Sequence, residues 1–236
     1  MDGSRRMPNR HEGSHQIRQE HPIQERPILQ RSRGSHLGST QSNDVSLCIL
    51  TLNSASTLDY VLAWSRPYFD DCHILDGGSS DLTIEEAKAH NIIIHSNPEC
   101  HHFGELRTEL MSYAKHDWVY FCDSDELIDY GFLLGLPHFM ACIPLGRIAY
   151  AFPRFSRHWD HRTAWPDLQT RMVNRKKVCY VGKLHEQAKP MSHERFVPPE
   201  WEAELRHPII HLPLPGHVER AKHNRWYEMQ GVTTRE

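Results

Sequence analysis

Short apolar runs alternate with amphipathic segments along the first part of the sequence after residue 44. Four of these runs predict buried strands by their length and flanks: VSLCILTLN, CHILD, IIIHS and WVYFC. Between them lie three segments with apolar residues near helical spacing, which predict helices: STLDYVLAWSRPY, LTIEEAKAHN and FGELRTELMSYAKH. Alternating strands and helices are typical of a parallel sheet with right-handed crossovers. The pattern therefore predicts an α/β fold with a mainly parallel sheet.

The alternation stops after Leu127, and the rest of the chain predicts more strands than helices. YGFLLGLPHFMACIP predicts a short helix and a loop, and RIAYAFPRF predicts a strand. QTRMVNRKKVCYVGKLHE predicts two strands around a basic turn, and HPIIHLPLPG predicts a strand suited to a sheet edge or a lid. HVERAKHNRWYEMQ predicts a final amphipathic helix. Together with the first half, these elements predict a mixed central sheet.

The N-terminal 43 residues differ in composition from the rest of the chain. They are rich in Arg, His, Gln, Ser and Gly, and their few apolar residues show no periodicity. Such a segment cannot bury enough apolar surface to offset the entropy lost on ordering. We therefore predict a disordered polar tail over residues 1–43 and a single folded domain over residues 44–236.

Composition and charge exclude some classes of protein. The chain has 236 residues and a formal net charge of −3, which gives no electrostatic reason to expect a nucleic-acid partner. No apolar run reaches the roughly 18 residues of a membrane span, and the N-terminus lacks the apolar segment of a signal peptide. The six cysteines are widely spaced, which fits a reducing compartment. We therefore predict a cytoplasmic protein.

Polar clusters follow three of the predicted strands. TLN ends the first strand, DGGSSD follows the second and DSDE follows the fourth. In parallel sheets, ligands bind beyond the carboxyl ends of the strands. The coincidence of three such clusters therefore predicts a binding site at one edge of the sheet.

The DSDE cluster places acids directly after a buried strand. Like charges this close repel one another, so a nearby cation must compensate. Asp123 and Asp125 project to the same side of an extended segment and offer the hard oxygen ligands that Mg²⁺ or Mn²⁺ binds. The alternative interpretation is a helix N-cap, with Asp123 or Ser124 as the cap and Glu126 in the first turn.

The DGGSSD cluster combines an acid with a flexible turn. Asp76 ends the strand, and Gly77 and Gly78 allow positive φ and a close approach of the backbone to a ligand. Asp76 is placed to accept hydrogen bonds from a base or a ribose. The alternative interpretation is a tight turn in which residues 79–81 cap the next helix.

In order and spacing, these segments resemble the family 2 glycosyltransferases of the GT-A fold. The matching features are Asn53 after the first strand, the D-x-G-S-x-D turn of residues 76–81, Arg107 on the third helix, and a D-x-D motif at Asp123 and Asp125. The downstream segments WPDLQTRMVNR and GKLHE resemble a subset that acts on lipopolysaccharide core and similar bacterial glycans.

Two departures from the family pattern concern the site. Members usually have Asn-Glu where this chain has Asn53 and Ser54, and a carboxylate pair found in relatives is absent. His185 and Glu186 lie near where that pair falls. The identity of the catalytic base is therefore open: Glu186 is the first candidate and Asp167 the second.

The resemblance implies a metal-dependent, inverting transfer of a sugar from a nucleotide-diphosphate donor. A UDP-sugar is the expected donor, and the acceptor is a hydroxyl on a glycan, a glycolipid or another glycoconjugate. A lipid-linked acceptor would bring the protein to the inner face of a membrane. The implied cofactor is Mn²⁺ or Mg²⁺, with Asp123, Asp125 and His211 as its ligands. The implied nucleotide-sugar-binding residues are Thr51, Asn53, Asp76, Gly78, Ser79, Arg107, Asp123, Ser124 and Arg171.

Several alternatives stay open on sequence grounds. A lone His in an apolar stretch, such as His211, is often a core residue, and Arg107 has possible ion-pair partners on its own helix in Glu105 and Glu109. A non-catalytic module that binds a nucleotide-sugar or a glycan is the main alternative function. A sugar nucleotidyltransferase is disfavoured, because TLNSAST contains no Gly, Lys or Arg after the first strand.

Overall fold

The computed structural model describes residues 43–156, 167–183, 185–192 and 201–214. All of them belong to a unit that extends from Ser39 to Glu236. The predicted N-terminal tail, apart from Asn43, and the predicted final helix lie outside the described residues. The division of the chain at residue 43 therefore stays a prediction.

The described residues form a mixed α/β structure. The helices are α1 (Ala55–Ser65), α2 (Thr83–Ala89), α3 (Phe103–Ser112) and α4 (Tyr130–Ala141), with one turn of 3₁₀ helix at Arg66–Tyr68. The strands are β1 (Val45–Thr51), β2 (Asp71–Asp76), β3 (Ile93–Ser96), β4 (Trp118–Asp123), β5 (Glu126–Leu127), β6 (Ala149–Ser156), β7 (Asp167–Asn174), β8 (Val178–Val181), β9 (Gln187–Pro190), β10 (Glu202–Glu204) and β11 (Ile209–His211).

The central sheet has the strand order β3-β2-β1-β4-β7-β6-β11-β5, with β10 beside β6. The first four strands are parallel, as the alternation of strands and helices predicts, and β7 is antiparallel to β4 and β6. The register places Thr51 opposite Asp76, and Leu50 opposite Asp123. The carboxyl ends of β1, β2 and β4 therefore meet at one edge of the sheet.

Apolar layers cover both faces of β1, as expected for a strand with an almost continuous apolar sequence. Leu47 and Ile49 belong to a layer that includes Leu58 of α1 and residues of α4. Cys48 faces the other layer, which includes Leu110 of α3. Because the helices hold both faces, the strand ends and the loops beyond them are the places left for a ligand.

The second half of the chain agrees with its predicted elements in outline but not in detail. The strands on either side of the basic turn exist, but β7 lies in the central sheet and β8 pairs with β9 in a separate hairpin. The strand β11 lies between β6 and β5 rather than at an edge. Its prolines do not prevent this, because Pro208 and Pro213 flank the three-residue strand and remove no hydrogen-bond donor from it.

Within the described part of the chain, no helix has both the length and the apolar character needed to cross a membrane.

Candidate active site

The turn after β2 is organised by the carboxylate of Asp76. This buried side chain accepts hydrogen bonds from the backbone N–H groups of Gly78 and Ser79, at 2.9 and 2.8 Å. The hydroxyl groups of Ser79 and Thr51 donate to the same carboxylate, at 2.5 and 3.2 Å. Gly78 has a φ of +90°, which favours glycine, and a Cβ added there would lie 3.0 Å from the Cβ of Pro98. Asp76, Gly78 and Ser79 therefore form one turn, and Thr51 at the end of β1 contacts it; all four are predicted to bind the nucleotide-sugar.

Asn53 connects the loop after β1 to this turn. Its side-chain oxygen accepts a hydrogen bond from the backbone N–H of Ser80 at 2.8 Å, and its own N–H donates to the hydroxyl of Ser79 at 2.8 Å. Asn53 has a φ of +48°, a conformation that asparagine tolerates better than most residues. Asn53, which the resemblance to the family predicted as a site residue, therefore links two loops of the site.

Ser54 connects the same loop to the acidic segment after β4. Its hydroxyl lies 2.8 Å from the hydroxyl of Ser124, and both side chains are buried. The backbone N–H of Ser54 donates to the hydroxyl of Thr83 at 2.7 Å. Ser54 stands where family members usually have glutamate, and here its hydroxyl contacts the acidic segment while its backbone N–H contacts the start of α2.

The acids after β4 are compensated by arginines. One carboxylate oxygen of Asp123 accepts from Nη2 of Arg107 at 2.9 Å, and the other accepts from Nη2 of Arg171 at 2.5 Å. Glu126 is fully buried and accepts from the same Nη2 of Arg171 at 2.6 Å, with Arg154 at 3.5 Å. Burial, followed by repulsion from Asp123, raises the pKa of Glu126, although Arg171 opposes both. The cations that face Asp123 and Glu126 in this structure are therefore guanidinium groups.

Arg107 brings a candidate base next to the acidic segment. Its Nε donates to Glu186 at 2.6 Å while its Nη2 holds Asp123. The guanidinium is buried and lies over the rings of Phe121 and Tyr180, at 5.1 and 5.7 Å from their centroids. The sequence left open an ion pair on the surface of α3, but in the structure Arg107 is buried and pairs with Asp123 and Glu186 of the site.

Two candidate metal ligands lie where β11 meets the acidic segment. Asp125 is only 2% exposed, and its Oδ2 lies 3.4 Å from Nε2 of His211. Two backbone contacts hold this arrangement: His211 pairs with Glu126 across β11 and β5, and the N–H of Leu212 donates to the Asp125 carbonyl at 2.7 Å. The Asp125 carboxylate raises the pKa of His211. Two predicted metal ligands, distant in sequence, are therefore adjacent.

Asp167, the second candidate base, lies at the margin of this group. Its carboxylate is 59% exposed and accepts from Arg154 at 2.9 Å and from Gln169 at 2.6 Å. Among the described residues, Arg154 links it to the buried acids, because Arg154 also faces Glu126. The geometry therefore places Glu186 closer than Asp167 to the D-x-D acids.

Around the candidate site, three buried arginine atoms have no hydrogen-bond partner among the described residues: Nη1 of Arg107, Nε of Arg171 and Nε of Arg154. Buried donors normally have partners, because an unsatisfied one costs free energy. Arg154 did not enter the predicted site, although it lies near the end of the strand predicted from RIAYAFPRF. Its proximity to the buried acids follows from the pairing of β6 with β7 and β11, which the local sequence does not reveal.

Among the described residues, no group of three or more His, Cys, Asp or Glu side chains is arranged to hold a metal ion. The pair of Asp125 and His211 nevertheless has suitable chemistry, since a carboxylate oxygen and an imidazole nitrogen are both common metal ligands. The separation of 3.4 Å between them is close to the roughly 3 Å expected for two neighbouring ligands of one ion with bonds near 2.1 Å.

A model of the family described as Glycosyl transferase family 2 matches residues 46–181, which is more than half of the chain. The chain therefore belongs to glycosyl transferase family 2, and the predicted family and enzyme class are confirmed. The match begins in β1 and ends with β8, so it includes the turn of Asp76, Arg107, the acids after β4 and Arg171.

The structure is similar to crystal structures of glucosyl-3-phosphoglycerate synthase from Mycobacterium tuberculosis. Its complex with Mn²⁺, UDP and glucosyl-3-phosphoglycerate matches with a TM-score of 0.52 and 17% identity, over 80% of this chain and 81% of that one. Its complex with Mn²⁺ and UDP-glucose matches with the same score and identity, over 80% of each chain. At this identity the likeness concerns the fold alone, and it confirms the predicted GT-A fold.

Proposed function

We propose that this protein transfers a sugar from a UDP-linked donor to a hydroxyl group of a glycan or another glycoconjugate, with inversion at the anomeric carbon. The observation that carries the proposal is the pairing of Asp125 with His211 beside the buried ion pairs of Asp123, Arg107 and Glu186. The similar crystal structures support the choice of donor, because they contain Mn²⁺ with UDP or with UDP-glucose.

Asp125 and His211 are the proposed residues that hold the metal. Mg²⁺ strongly prefers oxygen ligands, so the imidazole nitrogen of His211 favours Mn²⁺ over Mg²⁺. Asp123, which two arginines already neutralise, is a proposed contact to the ribose or a third ligand. When bound, the metal would neutralise charge that develops on the leaving diphosphate.

The arginines are the proposed contacts to the donor phosphates. Arg107 and Arg171 each carry a buried N–H group without a hydrogen-bond partner in the described part of the chain. Guanidinium groups suit phosphate oxygens because their N–H groups lie in one plane and donate in pairs. Asp76 and its turn, together with Asn53, are the proposed binding site for the base and ribose.

Glu186 is the proposed general base. A general base must lie within reach of the acceptor hydroxyl while the donor is bound. Glu186 shares Arg107 with Asp123, so it lies next to the proposed donor site. Its proposed role is to accept the proton of the attacking acceptor hydroxyl. The oxygen of that hydroxyl bonds to the anomeric carbon as the nucleoside diphosphate leaves.

The first test is release of UDP from a panel of UDP-sugars by the full chain, with Mn²⁺ or with EDTA. We expect one donor to be hydrolysed slowly without acceptor, in a metal-dependent manner, and Asp125→Ala to abolish the release. Asp59→Ala is a matched control, because Asp59 is an exposed acid on α1 that pairs with His90. Metal-independent release, or equal loss in both variants, would contradict the proposal.

A second test separates the enzyme from a binding module. Glu186→Gln should bind the donor as tightly as the wild type, in calorimetry, but lose turnover. Glu105→Gln provides the control, because Glu105 is an exposed acid on α3. A wild-type protein that binds a UDP-sugar with Mn²⁺ but never turns it over, with any hydroxyl acceptor supplied, would support the non-catalytic alternative.

The proposed acceptor is a hydroxyl of a glycan, a glycolipid or another glycoconjugate. The resemblance to enzymes of lipopolysaccharide core stays a prediction, and so does membrane contact through a lipid-linked acceptor. Turnover with a panel of glycans and glycolipids, once the donor is known, would identify the class of acceptor.

A further inference from the structure

An uncharged surface follows the outward side of α4. From Tyr130 to Gly146 the sequence contains no Asp, Glu, Lys or Arg. Phe132 and Leu136 of α4 are buried towards the core, but Leu134 on the opposite side is 58% exposed. The outward side of a surface helix normally carries charged residues, and the outward side of α4 carries no Asp, Glu, Lys or Arg.

The turn after α4 continues this surface. The N–H of Arg147 donates to the Pro144 carbonyl at 3.2 Å and closes the turn, in which Gly146 has a φ of +92°. Leu145 lies within the turn, and its relative exposure is 104%. A leucine in a tight turn with its whole side chain in water gains nothing from the fold itself.

Lysines border the turn. Lys176 and Lys177, between β7 and β8, line a cavity of about 360 Å³ together with Gly146, Met191 and Trp201. Met191 is itself more than half exposed. The apolar turn therefore lies beside a cavity whose lining contains two lysines, an exposed methionine and a tryptophan.

We propose that the surface beyond the carboxyl end of α4, formed by Leu145, Met191, Lys176 and Lys177, docks on a membrane that contains anionic lipid. The leucine and the methionine need an apolar medium, and the lysines need anionic groups close to it. A membrane interface supplies acyl chains and phosphates in adjacent layers, and it attracts basic residues when its lipids are anionic.

The charges of the surroundings fit this occupant. Lys176 pairs with Asp117 at 2.8 Å, but both side chains are at least half exposed, so the pair is weak and open to competition by phosphate. Lys177 has no acidic partner among the described residues. The residue before these lysines is Arg175, so the turn carries three consecutive basic residues.

The position of α4 sets the distance between this surface and the candidate active site. Asp129, directly after the acidic segment, caps the first turn of α4 by accepting from the N–H of Phe132 at 2.9 Å. The 12 residues of α4 extend about 18 Å from there towards the opposite edge of the sheet, where the lysines lie. Leu145 and the lysines therefore lie about the length of α4 away from the edge with the candidate active site. Docking itself does not depend on the proposed sugar transfer.

Co-sedimentation of the full chain with lipid vesicles tests this proposal. We expect binding to phosphatidylcholine vesicles that contain phosphatidylglycerol, weak binding to phosphatidylcholine alone, and a decrease with added salt. Leu145→Asp should weaken binding about tenfold or more, because it places a charge where an apolar contact is needed. Replacing Lys176 and Lys177 by Gln should weaken it about fivefold for each lysine removed.

Two controls match these variants. Ile93→Asp adds the same charge at a half-exposed apolar residue of β3, and Lys88→Gln removes a lysine from α2. Neither should change vesicle binding. Circular dichroism would verify that each variant is folded, as expected for changes at exposed positions.

Two results would overturn the proposal. The first is a wild-type protein that does not bind the anionic vesicles at low salt, or that binds them equally well after Leu145→Asp. The second is a wild-type dimer in light scattering that Leu145→Asp converts to a monomer, without vesicle binding by either. That result would assign the surface to a second copy of this chain.

Discussion

Arg107 contacts both Asp123 of the acidic segment and Glu186, the first candidate base. Its fork of N–H groups holds Asp123 with one nitrogen and Glu186 with another. A lysine has one ammonium group and cannot reproduce this geometry. The contribution of Arg107 to the site is therefore geometric as well as electrostatic.

We predict that Arg107→Lys lowers the turnover of donor about a hundredfold, the typical cost of losing a preorganised donor in an active site. UDP release under saturating donor would measure the loss. Arg175→Lys is the control, because Arg175 donates to the carbonyl of His116, just before the amino end of β4 and away from the candidate active site. An Arg107→Lys enzyme with wild-type turnover would show that the two contacts do not position the reacting groups.

A histidine pair away from the site is expected to make stability depend on pH. His95 lies 3.1 Å from His73, which in turn contacts Asp71, and its ring stacks on Tyr113. Burial, followed by the charge of His73, lowers the pKa of His95, although Glu109 opposes both. The unfolded chain therefore binds a proton at His95 at a higher pH than the folded chain does.

The sign of the effect follows from this difference. Where only the unfolded state binds the proton, a rise in pH stabilises the fold. We predict that His95 contributes stability above about pH 6.5, its unfolded value, and that this contribution is lost as the pH falls towards its lowered folded pKa. Urea unfolding of the wild type and His95→Gln at several pH values would measure it. Parallel pH profiles for the two proteins would contradict the prediction.

At the scale of elements, the close packing of α3 on β8 positions the loop that carries Glu186. The N–H groups of Phe103 and Gly104 donate to the carbonyls of Lys183 and Gly182, both at 3.0 Å. A Cβ added at Gly104 would lie 2.8 Å from the Gly182 carbonyl oxygen. That contact is with backbone, which cannot move aside as a flexible side chain can.

We predict that Gly104→Ala lowers the free energy of unfolding by about 1–3 kcal/mol through overpacking, and that it also lowers turnover because the Glu186 loop shifts. Gly135→Ala is the matched control within α4, where an added Cβ meets nothing within 4 Å. There alanine should stabilise the helix by about 0.5–1 kcal/mol. Urea unfolding would measure both values, and an equal change of the same sign in the two variants would contradict the packing argument.

The elements that could be predicted best from the sequence are those with a strong local pattern of apolar and polar residues. The parallel strands could be identified because their apolar runs are continuous and end in polar clusters, and Asp76 and Asp123 were found for the same reason. The strand β5 could not be identified, since two residues carry no periodicity. The contact between Asp125 and His211 depends on pairing of β5 with β11, a long-range event that local pattern does not encode. Arg154 lacked any local signal, because its role depends on the strands beside it.

At the scale of the whole molecule, ligand binding should stabilise the fold through the proposed donor site. We predict that UDP and Mn²⁺ together, at about a hundred times their dissociation constants, raise the melting temperature by about 5–10 °C. UDP with EDTA should raise it much less, because the arginines alone remain to hold the diphosphate. Differential scanning fluorimetry would measure the shifts.

The variant that checks this prediction is Asp125→Ala. In this variant, UDP should raise the melting temperature by the same amount with Mn²⁺ as with EDTA. The control Asp59→Ala should retain the difference between Mn²⁺ and EDTA. A full shift with UDP alone in the wild type would mean that the nucleotide binds without the metal pair.

The position of β11 in the chain has a consequence for the order of events during synthesis. Domains fold as the chain emerges from the ribosome, N-terminal parts first. The parallel strands, the turn of Asp76 and the acids after β4 are all translated long before Ile209–His211. Asp125 therefore emerges from the ribosome well before His211, its partner. If Asp125 and His211 hold the metal as proposed, affinity for it is one of the last properties that the nascent chain acquires. A chain truncated before residue 209 would contain the parallel strands but only one member of the proposed metal pair.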